Sequence, residues 1–600
     1  DFLGLRTLTV IQNAVKFVEQ NTGVVLDMDH IDYNDPKVLA SLSTGKTDGV
    51  FQLESAGMKN FMKELKPESL EDIIAGIALY RPGPMDFIPQ YIKGKNNAES
   101  ITYDCPQLKP ILEATYGCIV YQEQVMQIVR DLGGYTLGRS DLLRRAMSKK
   151  KAAVMEKERQ NFVYGNEEEG VPGCIKNGIS EAVANKIYDD MIDFAKYAFN
   201  KSHAAAYAVV SYQTAYLKYY YPVEFMAALM TSVIDNSAKV AEYHMTCRQM
   251  GIQILPPDIN LGESGFTVDG NNIRYGLSAI KSVGKPVIAA IVEERRQNGK
   301  YTSLKNFMER LSGKEINKRT VENFIKSGAF DSLGGKRHQF MLIYGPLMDS
   351  VNQEKKNSMA GQMSLFDFVG EEEKKEFEIT MPDVEEYEKE QLLSYEKEVL
   401  GFYVSGHPLE QYEGIWKKHI TNVTADFALD EETGHSRVTD GIKATVGGMI
   451  VEKTIKYTRN NQTMAFLTVE DLLGTVEVVV FPRDYEKNKN QLVEDEKVFI
   501  TGRVSVEEDK PSKLICEKIK NFKDITREVW IQFTDMNAYQ ENERQLYNIL
   551  RESDGKDRVV IYVRSPKAVK RLSENWTVNA DEDLLRKLSE KFGSENVKTI

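Results

Sequence analysis

The most informative stretch of this sequence is GYTLGRSDLLRRAMSKKK, residues 134–151. Its only carboxylate is Asp141, set against six cations: Arg139, Arg144, Arg145, Lys149, Lys150 and Lys151. Apolar side chains at helical spacing predict a helix that docks through Leu142, Leu143, Ala146 and Met147. Because Arg145 and Lys149 are four residues apart, they share one face of that helix. Such a face suits a triphosphate or a DNA backbone, whereas a merely solvated basic surface is the alternative.

A second informative stretch is FNKSHAAAYAVVSYQTAYLKYYYP, residues 199–222. Lys201 and His203 come just before an Ala-rich helix, beside Asn200 and Ser202. The helix carries tyrosines, which can stack on bases and sugars when cations lie nearby. For most of these tyrosines we favour the alternative, a buried helix with the rings in the core.

A third stretch is ALYRPGPM, residues 78–85. Two prolines around a glycine predict a rigid turn that fixes Arg81 at its start. The turn is either purely structural or presents Arg81 to a phosphate.

The composition restricts the class of protein. The 600 residues carry a formal net charge of -12, which argues weakly against a nucleic-acid partner, although a protein that binds nucleic acid needs positive charge only along the path of that ligand. The five cysteines form no Cys-x-x-Cys pair, so we expect no disulfide framework or structural zinc, and a cytoplasmic location. No uncharged apolar stretch reaches the roughly 20 residues of a membrane span. Because the chain starts with Asp1 and enters an apolar run at once, we interpret it as a piece of a longer protein.

Two later regions have patterns typical of nucleic-acid-binding domains. The apolar-x-x-apolar-Gly pattern of a helix-hairpin-helix turn occurs at Ile280, Lys281, Ser282, Val283 and Gly284. Backbone N–H groups of such a turn bind phosphate without reading sequence, while a plain Gly-linked helix pair is the alternative. Further on, short β-rich runs predict a small OB-type barrel, at 444–451, 464–470, 476–481, 497–503 and 514–519. Basic and aromatic residues near its first hairpin suit single-stranded DNA, namely Lys453, Lys456, Tyr457 and Arg459, with Phe466 and Phe481 either on the binding face or in the core.

Together these stretches resemble the C-family of bacterial replicative DNA polymerases. DFLGLRTLTVI, FQLES, ALYRPGPM, YGCIVYQEQVMQIV and the two long stretches above occur in the order known for that family. The order of the later domains favours the DnaE type of the alpha, or catalytic, subunit of DNA polymerase III. The resemblance implies a DNA-directed DNA polymerase of chromosomal replication, which adds dNTPs to a primer 3′ end.

The resemblance also implies roles for individual residues. Asp1 is similar to the last of three palm aspartates that hold two Mg²⁺ ions in the family, and the other two are expected upstream, so this segment alone should be inactive. His203 is the candidate for sensing the 2′ position of the sugar. The residues expected to contact the nucleotide or its phosphates are Arg81, Arg144, Arg145, Lys149, Lys150, Lys201 and His203.

A short peptide in a polar region suggests a protein partner. The segment QMSLFDF, residues 362–368, is similar to the peptide with which bacterial proteins bind the sliding clamp, or beta subunit. Gln362 and Ser364 would anchor it, while Leu365 and Phe366 would fill an apolar pocket. The family's tail domain contacts a clamp-loader subunit in some bacteria. The expected partners are therefore template-primer DNA, single-stranded DNA, dNTPs and the clamp, with no membrane.

These inferences predict a multidomain α+β chain. Its segments are the C-terminal part of a nucleotidyltransferase-type palm (1–55), mostly helical fingers (56–255), a helix-hairpin-helix domain in the clamp-binding region (256–345), a tether with the clamp-binding peptide (346–400), a connector (401–440), an OB-fold (441–527) and a small α+β tail domain (528–600). The alternatives are a non-catalytic DNA- and clamp-binding adaptor and an error-prone polymerase of the same family.

Overall fold

The computed structural model describes residues 4–81, 84–148, 152–195, 199–312, 316–359, 380–429, 436–507 and 510–599. The predicted site residues outside these ranges are Asp1, Lys149, Lys150, Gln362, Ser364, Leu365 and Phe366. The chain divides into two compact units, residues 1–405 and 406–600.

The first unit is mostly helical. Its helices are α1 Arg6–Thr22, α2 Pro36–Ser43, α3 Ala56–Leu65, α4 Leu70–Leu79, α5 Ile88–Asn96, α6 Lys109–Leu112, α7 Gln122–Gly133, α8 Leu137–Ser148, α9 Ala152–Tyr164, α10 Glu181–Ala195, α11 Lys201–Tyr220, α12 Pro222–Ser232, α13 Ser237–Gln249, α14 Lys285–Asn298, α15 Leu304–Leu311, α16 Lys318–Ser327, α17 Arg337–Met359 and α18 Lys389–Leu400. A small sheet pairs β1 Ile254–Leu255, β2 Thr267–Asp269 and β3 Asn272–Arg274 in the order β1-β3-β2.

Three hydrophobic clusters hold this unit together. One joins α2, α3 and α4 to the middle of α11, where Tyr212 is fully buried, as expected for a core tyrosine. The second encloses α7 to α10. The third packs α1 on α12 and continues into the region after residue 250. Helix α11 packs in the first cluster and leads directly into the third. Its N-terminal end therefore has a defined position relative to both clusters.

The segment predicted as a tether differs from that prediction at its described ends. Helix α17 extends to Met359, and α18 returns from Lys389. A buried network holds α18 in place: the Arg337 guanidinium donates to Glu396 at 3.1 Å, and the Glu396 carboxylate also accepts the Val404 and Ser405 N–H groups. Because a buried charge needs such partners, these residues are fixed despite the polar composition around them.

The second unit contains a closed barrel and a small α+β domain. The barrel strands are β4 Lys443–Tyr457, β5 Thr463–Glu470, β6 Thr475–Val480, β7 Lys497–Ser505 and β8 Lys513–Asn521, in the order β4-β5-β6-β8-β7. Helices α19 Glu413–His419 and α20 Pro482–Asn488 accompany it. Alternate side chains of the strands fill its core, among them Val446, Leu467, Val478, Ile500 and Leu514.

The last domain consists of β9 Glu528–Asp535, α21 Met536–Arg551, β10 Arg558–Ser565, β11 Ala568–Arg571, α22 Glu582–Phe592 and β12 Val597–Thr599. Its sheet order is β11-β10-β9-β12. Strands β9 and β10 run parallel, and helix α21 connects them. The α+β class, the helical region, the barrel and the tail domain are as predicted from the sequence. Within the described residues, no helix has the length and apolar character needed to cross a bilayer.

Candidate functional site

The N-terminal ends of α7 and α11 meet at a short parallel bridge between Tyr121 and Phe199. The Gln122 N–H donates to the Phe199 carbonyl at 2.9 Å, and the Phe199 N–H donates to the Val120 carbonyl at 3.4 Å. Tyr121 is buried, which raises its pKa, so the phenol stays neutral. This bridge brings together two stretches that are far apart in the sequence.

Four of the predicted phosphate- or nucleotide-binding residues gather at this bridge. The Arg81 guanidinium lies 4.3 Å above the Phe199 ring. The Arg144 Nη1 group donates to the Gln122 side-chain oxygen at 2.8 Å. The backbone N–H of Lys201 donates to Glu123, next to Gln122, at 3.0 Å. We call Arg81, Arg144, Lys201 and His203 the cationic cluster.

The His203 ring is exposed and lies between two aromatic rings. Its centroid is 5.3 Å from that of Phe199 and 4.3 Å from that of Tyr207. Its backbone N–H donates to Asn200 Oδ1, which caps α11. The imidazole is therefore held at the surface by two rings: it meets Phe199 edge-to-face at 76° and is tilted by 36° to Tyr207. The same Phe199 ring supports Arg81.

Several cations of the cluster and its flank already have partners. Asp141 accepts from Arg144 at 2.7 Å and from Arg145 at 2.8 Å, and the Arg144 hydrogen bond holds the pKa of that carboxyl below its usual range. The Lys201 ammonium pairs with Glu71 at 3.0 Å. A phosphate that binds here must therefore exchange places with Asp141 and Glu71. Such half-exposed pairs contribute only about 0–1 kcal/mol, so a multiply charged phosphate can replace them.

Within residues 134–148, the described part of the basic stretch, the cations do not share one face. Arg139 pairs with Glu158 at 2.9 Å and also with Glu169, which ties α8 to α9 and the loop after it. Leu143, Ala146 and Met147 dock in the core as predicted, but Leu142 is 66% exposed. Leu142 lies on the outer face with Arg145, because residues three apart on a helix are neighbours.

No role follows from the sequence alone for Gln122, Glu123 and Phe199, which connect the cluster. Gln122 and Glu123 occur inside the quoted stretch YGCIVYQEQVMQIV, but their contacts depend on a bridge to a segment far along the chain. The pairing of Glu71 with Lys201 also cannot be predicted from the sequence, because the two residues are far apart along the chain. Spacing indicates only the pairing of Asp141 with Arg144 and Arg145.

The predicted helix-hairpin-helix turn is a tight, exposed turn before α14. Ser282 adopts a left-handed conformation with φ 62°, Val283 is buried, and Gly284 caps the helix with φ -76°. A 3-10 turn at Leu277–Ala279 precedes it. The Lys281 N–H is already used, since it donates to the Val399 carbonyl at 2.9 Å. Among the described residues the Ser282 and Gly284 N–H groups have no acceptor, so they are the donors open to a phosphate.

The barrel residues predicted to bind single-stranded DNA divide into two groups. Lys456, Tyr457 and Arg459 are exposed at the β4–β5 hairpin, and the Lys456 ammonium lies 4.7 Å from the Phe466 ring. Lys453 is half-buried and donates to the Leu492 carbonyl at 2.7 Å, so it stabilises the barrel. Phe481 follows β6 at the start of α20 and is 46% exposed, so it is not a core residue.

The described residues do not by themselves fit a magnesium site. Within them, no group of three or more His, Cys, Asp or Glu side chains is placed to hold a metal ion. The predicted ligand Asp1 and the peptide at Gln362 to Phe366 lie outside the described ranges, as do Lys149 and Lys150.

Comparison with known proteins shows which family model and which relatives this chain resembles. Residues 7–170 match the finger domain of the bacterial DNA polymerase III alpha subunit. A protein from Borreliella burgdorferi named DNA polymerase III subunit alpha is 39% identical over 98% of this chain and 51% of its own length. Over nearly all of its length the chain is similar to bacterial DNA polymerase III alpha subunits.

Other alpha subunits and two further domain models extend the match. The alpha subunit of Thermus aquaticus is 43% identical over 85% of this chain and 40% of its own length. That of Bacillus subtilis is 38% identical over 100% of the chain and 52% of its own length. Residues 251–340 match a helix-hairpin-helix motif, and residues 444–522 match an OB-fold nucleic acid binding domain. The chain spans about half the length of the curated alpha subunits it matches.

Proposed function

We propose that this chain supplies the fingers and the DNA-guiding domains of a replicative DNA-directed DNA polymerase. The whole protein would add dNTPs to a primer 3′ end and release pyrophosphate. The observation that carries the proposal is the gathering of Arg81, Arg144, Lys201 and His203 at the Tyr121–Phe199 bridge. The similarity to alpha subunits over nearly the whole chain supports it.

The cationic cluster would bind the triphosphate of the incoming nucleotide. In phosphoryl transfer the protein acts mainly by positioning and by stabilising charge. Arg144 can present two N–H groups to phosphate oxygens once it leaves Asp141, and Lys201 can leave Glu71. His203, held by its contacts with the Phe199 and Tyr207 rings, would lie against the sugar and exclude a 2′-hydroxyl.

The side chains that bind the metal ions would belong to residues outside the described ranges. Two Mg²⁺ ions, with Asp1 as one ligand, would stabilise the attacking and leaving oxygens. The residues described here would contribute binding, orientation and positive charge.

Two other surfaces would hold DNA. The Ser282 and Gly284 N–H groups would bind a duplex phosphate without reading its sequence. The exposed Lys456, Tyr457 and Arg459 would hold the single-stranded template by charge and stacking. The chain would be tethered to the sliding clamp through Gln362, Ser364, Leu365 and Phe366, with a clamp-loader subunit as a further partner of the tail domain, all in the cytoplasm.

The proposal is tested in the full-length protein by primer extension. Asp1→Asn should abolish extension while leaving DNA binding nearly unchanged. Arg144→Ala should raise the KM for dNTP about ten- to hundredfold, because a charge-assisted hydrogen bond is lost. Arg130→Ala is the matched control, since Arg130 is exposed at the end of α7 and pairs with the adjacent Asp131. Normal extension by Asp1→Asn would contradict the catalytic assignment.

The clamp contact needs its own experiment. Leu365→Ala with Phe366→Ala should remove stimulation by the clamp and spare basal extension, because burial of two such side chains contributes about 3–6 kcal/mol before ordering costs. Unchanged stimulation would contradict the peptide assignment.

A non-catalytic adaptor that binds DNA and the clamp is the second candidate. It is favoured by the two regions that match a helix-hairpin-helix motif and an OB-fold nucleic acid binding domain, residues 251–340 and 444–522, because these could hold DNA without any catalysis. The two candidates differ in the full-length protein: an adaptor would show no primer extension with or without Asp1.

A further inference from the structure

Both helices of the tail domain lie on the same face of its four-stranded sheet. Val529, Ile531 and Phe533 of β9 pack in the domain core together with side chains of α21 and α22. Because successive side chains of a strand point to opposite faces, Trp530 of β9 lies on the other side of the sheet, and so does Tyr562 of β10. We call the side that carries Trp530 and Tyr562 the open face.

The open face presents two aromatic rings on neighbouring strands. Tyr562 lies beside Gln532, two residues along β9 from Trp530, so the two rings occupy diagonal positions with Cβ atoms roughly 8 Å apart. Each ring is half-buried and therefore partly accessible. Val569, which pairs with Tyr562 from β11, is 50% exposed. Aromatic rings on a four-stranded sheet are a common platform on which the bases of a single strand stack.

Four exposed cations surround these rings. Strand β12 places Lys598 directly beside Trp530. Strand β10 contributes Arg558 and Arg564 near its two ends, and β11 contributes Arg571. The phosphates of a strand whose bases stack on the rings would therefore lie within reach of positive charge on three of the four strands.

The open face has a net positive charge. Among its described strand residues, Glu528 is the only carboxylate, and it pairs with Arg571 at 3.6 Å. The other three cations, Arg558, Arg564 and Lys598, have no carboxylate partner in the part of the chain that the structure describes. A polyanion that binds them displaces no acidic side chain, in contrast to a phosphate at the cationic cluster.

A groove of about 360 Å³ adjoins the open face at the start of β9. Glu528 lines it from the sheet, and Lys418 and His419 line it from the end of α19. Lys418 is exposed and forms no ion pair with any described carboxylate. The positive charge of the open face thus continues past Glu528 toward α19.

We propose that the open face of the tail domain binds single-stranded DNA. Two bases would stack on Trp530 and Tyr562, and the phosphates would lie against Arg558, Arg564 and Lys598. An acidic peptide would satisfy the cations but leave both rings without a base, so a single strand fits the surface better. This surface is separate from the barrel hairpin, and binding there needs no polymerase activity, so it can fail while the proposed function holds.

The test compares three polyanions of similar charge by fluorescence anisotropy. They are a 12-nucleotide oligothymidylate, an abasic strand of the same length and a peptide of 12 glutamates. The 600-residue chain carries Lys456→Ala and Arg459→Ala, which removes the exposed cations of the barrel hairpin. The oligothymidylate should bind about tenfold more tightly than the abasic strand, because only it can stack, and the peptide should bind no better than the abasic strand. Equal binding of the two strands, or tightest binding of the peptide, would overturn the proposal.

Tryptophan fluorescence locates the stacked base. Trp416 is buried, and Trp576 packs on Tyr547 on the helical side, with ring centroids 4.3 Å apart. Quenching by the oligothymidylate should therefore report Trp530, and Trp530→Leu should remove it. The same change should weaken the oligothymidylate about tenfold and leave the abasic strand unchanged. Quenching that survives Trp530→Leu would overturn the assignment. If this variant misfolds, Tyr562→Leu supplies the same comparison of the two strands.

The cations are tested by a matched pair of double variants. Arg564→Ala with Lys598→Ala should weaken both strands and reduce the slope of log K against log salt by about 1.4, since each single-strand phosphate contact contributes about 0.7. Arg544→Ala with Lys591→Ala removes the same charge from exposed positions of α21 and α22 and should leave binding nearly unchanged. Equal losses in the two double variants would show that the strand responds to overall charge, which would overturn the proposal.

Discussion

The Gln122 N–H donates a 2.9 Å hydrogen bond to the Phe199 carbonyl, and this bond joins the two segments that carry the cationic cluster. The same Gln122 accepts from Arg144, and the same Phe199 supports Arg81 and His203. The cluster therefore depends on a backbone contact as well as on the charged side chains. The Phe199 ring and the Gln122 side chain hold Arg81 and Arg144 at the bridge before any phosphate arrives, which lowers the ordering cost of binding.

Asp141 should limit the affinity of this surface for phosphate. It accepts from both Arg144 and Arg145, and the hydrogen bond with Arg144 keeps its pKa low, so it remains an anion near neutral pH. Asp141→Asn should strengthen duplex DNA binding by the chain at low salt. The slope of log K against log salt should become steeper by about one, because one more cation is available to a phosphate. Fluorescence anisotropy over a range of salt concentrations measures both quantities. Asp131→Asn, which removes an exposed carboxylate paired with Arg130, is the control; equal effects of the two changes would mean that Asp141 has no special position.

His203 should determine sugar selectivity in the full-length enzyme. Its ring is fixed between Phe199 and Tyr207, so the variant His203→Ala leaves a gap where a 2′-hydroxyl can fit. The preference for dNTP over rNTP, measured as a ratio of kcat/KM, should fall about tenfold, the usual scale for a steric contact. Tyr219→Ala changes an exposed ring at the other end of α11 and should leave the ratio unchanged. No change with His203→Ala would remove this role.

Substitutions at Gly284 should test whether the helix-hairpin-helix turn binds DNA. Gly284 is the N-cap of α14, with φ -76° and an open side, so both Ala and Asp fit there. Asp is a favoured N-cap residue and should not destabilise the helix, but its carboxylate would occupy the place of a phosphate. Gly284→Asp should therefore lower duplex DNA affinity several-fold and make the salt slope shallower by about one, whereas Gly284→Ala should bind nearly as the unchanged chain does. Equal binding by the two variants would show that this turn does not contact DNA.

The barrel hairpin should bind single strands through Lys456 and Arg459. Both are exposed, whereas Lys453 is tied to the Leu492 carbonyl. Lys456→Ala with Arg459→Ala should weaken binding of an oligonucleotide and reduce the salt slope by about 1.4, since each single-strand phosphate contact contributes about 0.7. Lys453→Met removes the same charge at a structural position and should weaken binding much less. A larger loss with Lys453→Met would reverse the assignment of these side chains.

The sequence predicted the barrel better than it predicted the site. Met464–Glu470 and Leu514–Ile519 lie inside β5 and β8, because alternation of apolar residues reports burial on one face of a strand directly. The first run was predicted to end at Val451, but β4 extends to Tyr457. Beyond Val451 the strand is mostly exposed and polar, and its pairing with β5 alone maintains it, which a pattern of burial does not reveal.

The sequence predicts the contacts at the candidate site less well, and the cause is different. Charge in the stretch 134–151 is visible in the sequence, but the partners that hold Arg144 and Arg139 come from Gln122, Glu158 and Glu169. Likewise, the turn pattern predicts a Lys281 N–H that is available to phosphate, yet this N–H donates to the Val399 carbonyl. Such contacts between distant segments follow from packing, so one sequence predicts the residue types at the site but not which of them remain available to a ligand.

Lys218 should make the stability of the first unit depend on pH. Its ammonium donates to the Lys46 and Asp48 carbonyls, and burial lowers its pKa from 10.5 to about 8. Below about pH 8 the lysine is charged in both the folded and the unfolded chain, and the folded chain bears the full cost of burying that charge. Between about pH 8 and about pH 10.5 the unfolded chain holds more protons than the folded chain, so the contribution of Lys218 to the free energy of unfolding rises with pH.

The variant Lys218→Met lacks this titration. As pH increases from about 7 to about 10, the unfolding temperature of the unchanged chain should therefore rise relative to that of Lys218→Met, whatever the sign of the difference at neutral pH. Thermal unfolding of both proteins in matched buffers measures the difference at each pH. Lys37→Met, at an exposed lysine of α2, is the control and should run parallel to the unchanged chain. A constant difference between the unchanged chain and Lys218→Met would show that Lys218 keeps an ordinary pKa, and that its two carbonyl contacts compensate fully for its burial.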